Sequence, residues 1–247
     1  MTGDIVLGTN TIDGLAIQIY EQTSSQESMG LGADALGSLT GGGFGAGNGY
    51  GNIGIGNSAL KLLESGVQNI AIGSWALKNT TNGNVNVAIG EIALLNNTGD
   101  ANVAIGVTAL YSNTTANDNT AVGTRALFTN TTGPSNTASG YKALYANTTA
   151  SYNTAVGKHA LNANTTGCRN TATGMCALKN NTTGCLNTAS GYASLEANTT
   201  GNGNTAYGFY SLCPTTTGSY NVAIGPYAMY RNTTGTHNSA LGASSLE

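Results

Sequence analysis

Charge is what this sequence has least of. Charged residues make up 8 % of the chain, where about 25 % is usual for a globular domain. Eight Lys and Arg against eleven Asp and Glu leave a net charge of −3. No basic patch can neutralise a phosphate backbone, so nucleic acid is not an expected partner. Proline is also scarce, at three residues, which removes collagen and Pro-rich linkers. No run of about 18 apolar residues occurs, so no membrane insertion is expected. The start, Met1-Thr2-Gly3-Asp4-Ile5-Val6-Leu7-Gly8, has neither a basic stretch nor a long apolar core. It does not read as a Sec-type signal peptide, and assembly in the cytoplasm is expected. Low charge and 6 % aromatics could indicate disorder, but disordered chains usually carry high net charge. A regular repeat explains the bias better.

The repeat is plain once the chain is aligned on Asn. Asn52-Ile53-Gly54-Ile55-Gly56 is the first clear copy, and others begin at Asn69, Asn86, Asn102, Asn119, Asn136, Asn153, Asn170, Asn187, Asn204, Asn221 and Asn238. The step is 17 residues, except 16 between Asn86 and Asn102. The consensus is N-[TVI]-A-[VIST]-G-x-x-[AS]-[LM]-x-x-N-T-T-G-x-x. Counting from the first Asn, position 5 is Gly and position 9 is Leu or Met in all twelve units; position 3 is Ala in all but one, where Gly54 stands. Ser28 through Gly32 with Ala35 and Leu36 echoes this pattern, and Asp4 to Gly8 does so more loosely. Residues 1–51 therefore read as an irregular N-terminal cap or attachment region with degenerate repeats, and 52–247 as the repeat domain. The alternating glycines Gly43, Gly45, Gly47, Gly49 and Gly51 open no helix and read as a loop.

Seventeen residues cannot hold a helix pair, which needs about 30 or more. The β-branched N-T-A-V-G stretch predicts a strand of three to five residues. A corner at the position-5 Gly, a second short strand over x-A-L-x and an Asn-Thr-Thr-Gly turn would complete one coil. The expected fold is all-β: a β-solenoid, or β-roll, of about twelve 17-residue rungs. At about 4.8 Å per rung it forms a rod of about 55 Å. Position-1 asparagines are expected to stack as an amide ladder, with position-3 Ala and position-9 Leu filling a narrow interior.

So thin an interior predicts further burial between chains. Side chains alternate along a strand, so positions 2 and 4 face away from position 3. They are the candidate interface: Ile53, Ile55, Ile70, Ile72, Val87, Ile89, Val103 and Ile105, then Val222 and Ile224. An apolar outward face is usually covered, and a homo-oligomer is expected.

Units such as Asn102-Val103-Ala104-Ile105-Gly106 and Asn221-Val222-Ala223-Ile224-Gly225 resemble the N-x-A-I-G repeats of trimeric autotransporter adhesin heads. The stretch from Asn153-Thr154-Ala155-Val156-Gly157 to Asn164-Thr165-Thr166-Gly167 resembles repeat arrays in bacteriophage tail fibres and in fibres of large algal viruses. The resemblance covers residues 52–247 and implies left-handed β-rolls in a parallel homotrimer. It also implies a structural fibre or spike component: a rigid shaft on the virion that contributes to host attachment and joins other fibre, tail or capsid proteins through its N-terminal region. An autotransporter adhesin is expected to carry a signal peptide, a coiled-coil stalk and a membrane barrel, none of which reads from residues 1–247, so the viral fibre is the expected reading and a bacterial surface adhesin the alternative.

Chemistry-bearing residues are few, and no enzyme and no cofactor are expected. His159 (position 7) and His237 (position 17) lie in different columns, without a triad or metal-ligand pattern. Cys168 and Cys185 share position 16 in adjacent rungs, a spacing within disulfide range. Free thiols are the default in a reducing cytoplasm, with a disulfide formed later as the alternative; Cys176 and Cys213 lie elsewhere. Tyr111, Phe128 and Tyr145 occupy position 10 in three successive rungs, and Tyr230 joins the column later. They read either as a strip that stacks on a host-surface sugar or as an aromatic ladder packed between chains. Tyr141, Lys142, Tyr192, Phe209 and Tyr210 form a second column with the same two readings. Thr120, Thr137, Thr154, Thr171, Thr188 and Thr205 line up at position 2, leaving ice binding as a third functional class.

Overall fold

A computed structural model describes residues 11–12, 15–20, 28–40 and 49–246, with side chains from Ser28 onward except residues 39–40. Among them the strands form one fifteen-stranded sheet whose order follows the chain. Strands β1 (Thr11–Ile12) and β2 (Leu15–Tyr20) pair antiparallel, and β2 pairs antiparallel with β3 (Ser28–Leu31). From β3 onward all pairing is parallel and in register, through β4 (Ile53–Ile55) and one three-residue strand per unit to Ser239–Leu241. The twelve units are thus rungs of a β-solenoid, with about eleven complete turns between Asn52 and Asn238.

The echo at Ser28 is a rung start in three dimensions. Met29 pairs with Ile53, and Gly32, Asp34 and Leu36 repeat the positive-φ pattern of the later rungs. Ser28 Oγ accepts from Asn52 N at 3.1 Å, taking the place of an asparagine carbonyl. Strand β2 covers the outer edge of β3, one way a sheet avoids an open edge. The echo at Asp4–Gly8, most of the cap at 1–51 and the glycines at 43, 45 and 47 lie outside the described residues.

Each rung holds one strand, not two. Positions 2–4 are extended, but the x-A-L-x segment expected to be a second strand is a run of turns. The reason is backbone handedness. Positions 7 and 9 both take positive φ, as in His159 (58°) and Leu161 (50°), and an extended strand requires negative φ. The segment still bonds from rung to rung, with Leu161 N donating to Ala177 O at 3.0 Å. Its short turns fold position-8 Ala and position-9 Leu inward, where Ala160, Leu161, Ala177 and Leu178 join position-3 Ala155 and Ala172 in full burial. Left-handed backbone at a Leu is unfavourable; here repeated rung bonds and burial of the side chain offset it.

The position-5 Gly does two things at once. Gly157 has φ 133°, and a Cβ there would lie 2.6 Å from Gly174 O in the next rung. Backbone conformation and close approach both exclude a side chain.

Two buried amide ladders run up the stack. In the first, each position-1 Asn Nδ2 donates to the Oδ1 of the preceding rung: Asn170 to Asn153 and Asn187 to Asn170, both at 3.2 Å. The backbone N–H of the same residue donates to that oxygen as well. The second ladder lies at position 12, in what reads from sequence as a turn. Asn113, Asn130, Asn147, Asn164, Asn181 and Asn198 each donate to the asparagine below, beginning at Asn97, over 2.6–3.1 Å. The ladders converge on the position-15 carbonyl, as where Gly167 O accepts from Asn153 Nδ2 and Asn164 Nδ2, both at 2.9 Å. The turn residues thus belong to the interior: a buried amide is tolerated when its donors and acceptors are satisfied.

Candidate functional site

With the interior closed by Ala, Leu and Asn, the surface columns are what remain to meet a partner. Strand alternation decides the first of them. Position 3 is buried in every rung, while positions 2 and 4 point outward and are half-buried or exposed. Ile53, Ile70, Val87 and Val103 stack in register at position 2, and Ile55, Ile72, Ile89 and Ile105 at position 4. Ile105 is 38 % exposed and Ile224 41 %. Val122 and Val156 extend the position-4 column, exposed to a similar degree; the sequence pattern already carried them. Val222 and Ile224 sit on the same face near the far end, beyond six rungs with Thr at position 2 and with Val122, Ser139, Val156, Thr173, Ser190 and Tyr207 at position 4.

The position-10 column is a true stack over three rungs. Tyr111 and Phe128 lie 5.1 Å apart at 7°, and Phe128 and Tyr145 5.3 Å apart at 7°. Lys142 Nζ lies 5.2 Å from the Tyr145 ring and 5.4 Å from that of Tyr141, within reach of cation–π attraction. Tyr230 does not join this stack, because Asn162, Lys179, Glu196 and Cys213 fill the column between. It belongs instead to a second cluster, edge-on to Tyr227 at 5.4 Å and to Tyr210 at 6.2 Å. In that cluster Tyr192 stacks on Phe209, Phe209 meets Tyr210 edge-on at 4.5 Å, and Tyr210 stacks on Tyr227. The Tyr210 hydroxyl is pushed up to about 12, first by its hydrogen bond with Tyr192 and then by desolvation. Tyr227 completes the group; its place in the column of Tyr210 was the available sequence signal.

The histidines fall apart as their columns require. His159 packs edge-on to Tyr141 at 5.4 Å, and His237 stacks on Tyr220 at 5.1 Å. His159 Nδ1 is buried without a hydrogen-bond partner. Burial, then the positive charges of Lys158, Lys142 and Lys179, lower its pKa.

Cys168 and Cys185 are brought together. Their sulfurs lie 3.0 Å apart, both as free thiols. Cys176 and Cys213 are also free, and Cys213 is pushed up to about 11 by burial and then by the nearby Glu196 carboxylate. Among the described residues no group of three or more His, Cys, Asp or Glu could hold a metal ion, and no helix is long and apolar enough to cross a membrane.

No protein-family model, no curated protein and no solved structure matches this chain.

Proposed function

We propose that the chain is a non-catalytic shaft segment of a fibre or spike, built from copies of itself set side by side through the position-2 and position-4 face. The observation that carries this reading is the apolar stripe over four successive rungs, Ile53/Ile55 to Val103/Ile105, outside a core that is already closed. Contiguous exposed apolar surface usually marks an interface. A ladder repeating every rung matches best a partner with the same period, and another copy of this chain has it. Three copies, a viral or phage particle, and attachment to a host surface come from the resemblance of the N-x-A-I-G units to fibre and adhesin repeats. The stacked aromatics then offer either further interchain packing or the surface that meets a host glycan or protein.

Molar mass by light scattering tests the reading. About three times the 24.8 kDa chain mass is expected, with Ile72→Lys/Ile105→Lys shifting it to one chain while circular dichroism stays unchanged. A wild-type monomer at micromolar concentration would sink it.

The same face supports one alternative. The position-2 threonines from Thr120 to Thr205 stack in register over six rungs, and a regular hydroxyl array can order water. Thermal hysteresis in a solution of the monomer would favour ice binding.

A further inference from the structure

Position 16 is a side-chain ladder of its own. In two stretches of this column, on either side of Pro134 and Ser151, the backbone N–H of one rung donates to the side chain of the next: Asn84 N to Asp100 Oδ1 at 2.8 Å, Asp100 N to Asn117 Oδ1 at 2.8 Å, Cys185 N to Asn202 Oδ1 at 2.8 Å, Asn202 N to Ser219 Oγ at 3.0 Å. At Cys168 the acceptor is Cys185 Sγ, at 3.0 Å. Sulfur is a weak acceptor, so the two consecutive cysteines weaken a column that oxygen serves elsewhere.

What they add is proximity. Leu186 N donates to Cys168 O at 3.0 Å, pinning the two rungs together beside the sulfurs. Rung spacing of about 4.8 Å between Cα atoms falls within the range a disulfide spans. The sulfurs already touch, so a modest side-chain rotation closes the bond. Both residues are partly exposed, which admits a small oxidant.

We infer that Cys168 and Cys185 form a dithiol site whose co-substrate is a low-molecular-weight disulfide, and that its oxidation staples two neighbouring rungs. One thiolate of the pair attacks a sulfur of the small disulfide, releasing one small thiolate and leaving a mixed disulfide on the protein. The second protein thiolate attacks the protein-bound sulfur and expels the other small thiolate. Two protein thiols lose two electrons, the small disulfide gains them, and the two protons pass to the released thiols.

The product closes one complete rung into a covalent ring, because Cys168 and Cys185 hold the same position, 16, in successive 17-residue units. A stack of rungs is held by nearest-neighbour contacts, and unfolding spreads from one rung to the next. A staple in the middle of the stack blocks that spread. The Cys168 thiol is held above its usual range, chiefly by the hydrogen bond with Cys185 and then by burial, so exchange quickens as pH rises.

The test treats the full chain with oxidised glutathione, then counts thiols and maps disulfides by mass spectrometry. Cys176→Ser/Cys213→Ser removes the other two thiols, and wild-type protein provides the same map should that variant not fold. Expected is the loss of both remaining thiols, a mass lower by about 2 Da, a single Cys168–Cys185 peptide link and a melting midpoint several degrees higher that reductant reverses. In Cys168→Ser, Cys185 should retain a glutathione adduct. Unreacted thiols, stable glutathione adducts on both cysteines, or a link between chains would overturn the inference.

Discussion

Asn198 Nδ2 donates to Asn181 Oδ1 at 2.7 Å, but Asn198 Oδ1, equally buried, receives no hydrogen bond. The next residue in the position-12 column is Thr215, whose hydroxyl turns to Asn232 O at 2.7 Å. A threonine has no amide to send down, so the ladder ends in an orphaned acceptor. An unsatisfied buried acceptor costs about 1–3 kcal/mol. Thr215→Asn supplies the missing donor and can accept from Asn232 in turn. It should stabilise the chain by about 1 kcal/mol, a rise of about 2–4 °C in melting midpoint for a domain of this size. Calorimetry of the two proteins decides it; an unchanged or lower midpoint would mean the orphaned oxygen carries no cost.

Breaking the same ladder in its middle should do the opposite. Asn164 donates to Asn147 Oδ1 and Gly167 O and accepts from Asn181. Asn164→Ala leaves Asn147 Oδ1 without its amide donor and opens a gap. A loss of about 3 kcal/mol is expected in denaturant unfolding. Asn82→Ala, on the exposed surface, serves as the control and should fall within about 0.5 kcal/mol of wild type.

The corner glycines offer a comparison that separates backbone strain from contact. Gly157 combines φ 133° with the next rung 2.6 Å from a Cβ, while Gly242 has φ 116° and nothing within 4 Å. Gly242→Ala meets only the conformational term, about 1–3 kcal/mol. Gly157→Ala must also push two rungs apart and should cost more than 3 kcal/mol, or about the whole stability of the stack at that junction. Equal losses at the two sites would show that contact between rungs is unimportant.

His159 should make the rod sensitive to mild acid. Its folded pKa lies below 6.5, so the unfolded chain binds the proton more readily. Its contribution is unchanged above about pH 6.5 and declines as pH falls from there toward the lowered folded value. His159→Gln should remove that slope from a plot of melting midpoint against pH. A slope that persists in the variant would overturn the assignment to His159.

Much of this protein is set by its sequence alone. The 17-residue step, the invariant position-5 Gly and the alternation of Ala with outward Ile, Val or Thr are local chemistry repeated, and repetition turns local chemistry into register. They gave the solenoid, the position-1 ladder and the Ala and Leu core. What only the tertiary structure decided are the places where a residue's partner is a rung away and its backbone is unusual. The position-9 Leu enters the core through left-handed backbone at Leu161 and its equivalents, which no propensity predicts, so the expected second strand became a turn. Asn164 reads as a turn residue until its amide is seen to meet Asn147 and Asn181 inside the coil. Tyr230 shares a column with Tyr145, yet sits with Tyr210 and Tyr227, because aromatic contact depends on adjacent rungs and four intervening residues break the stack.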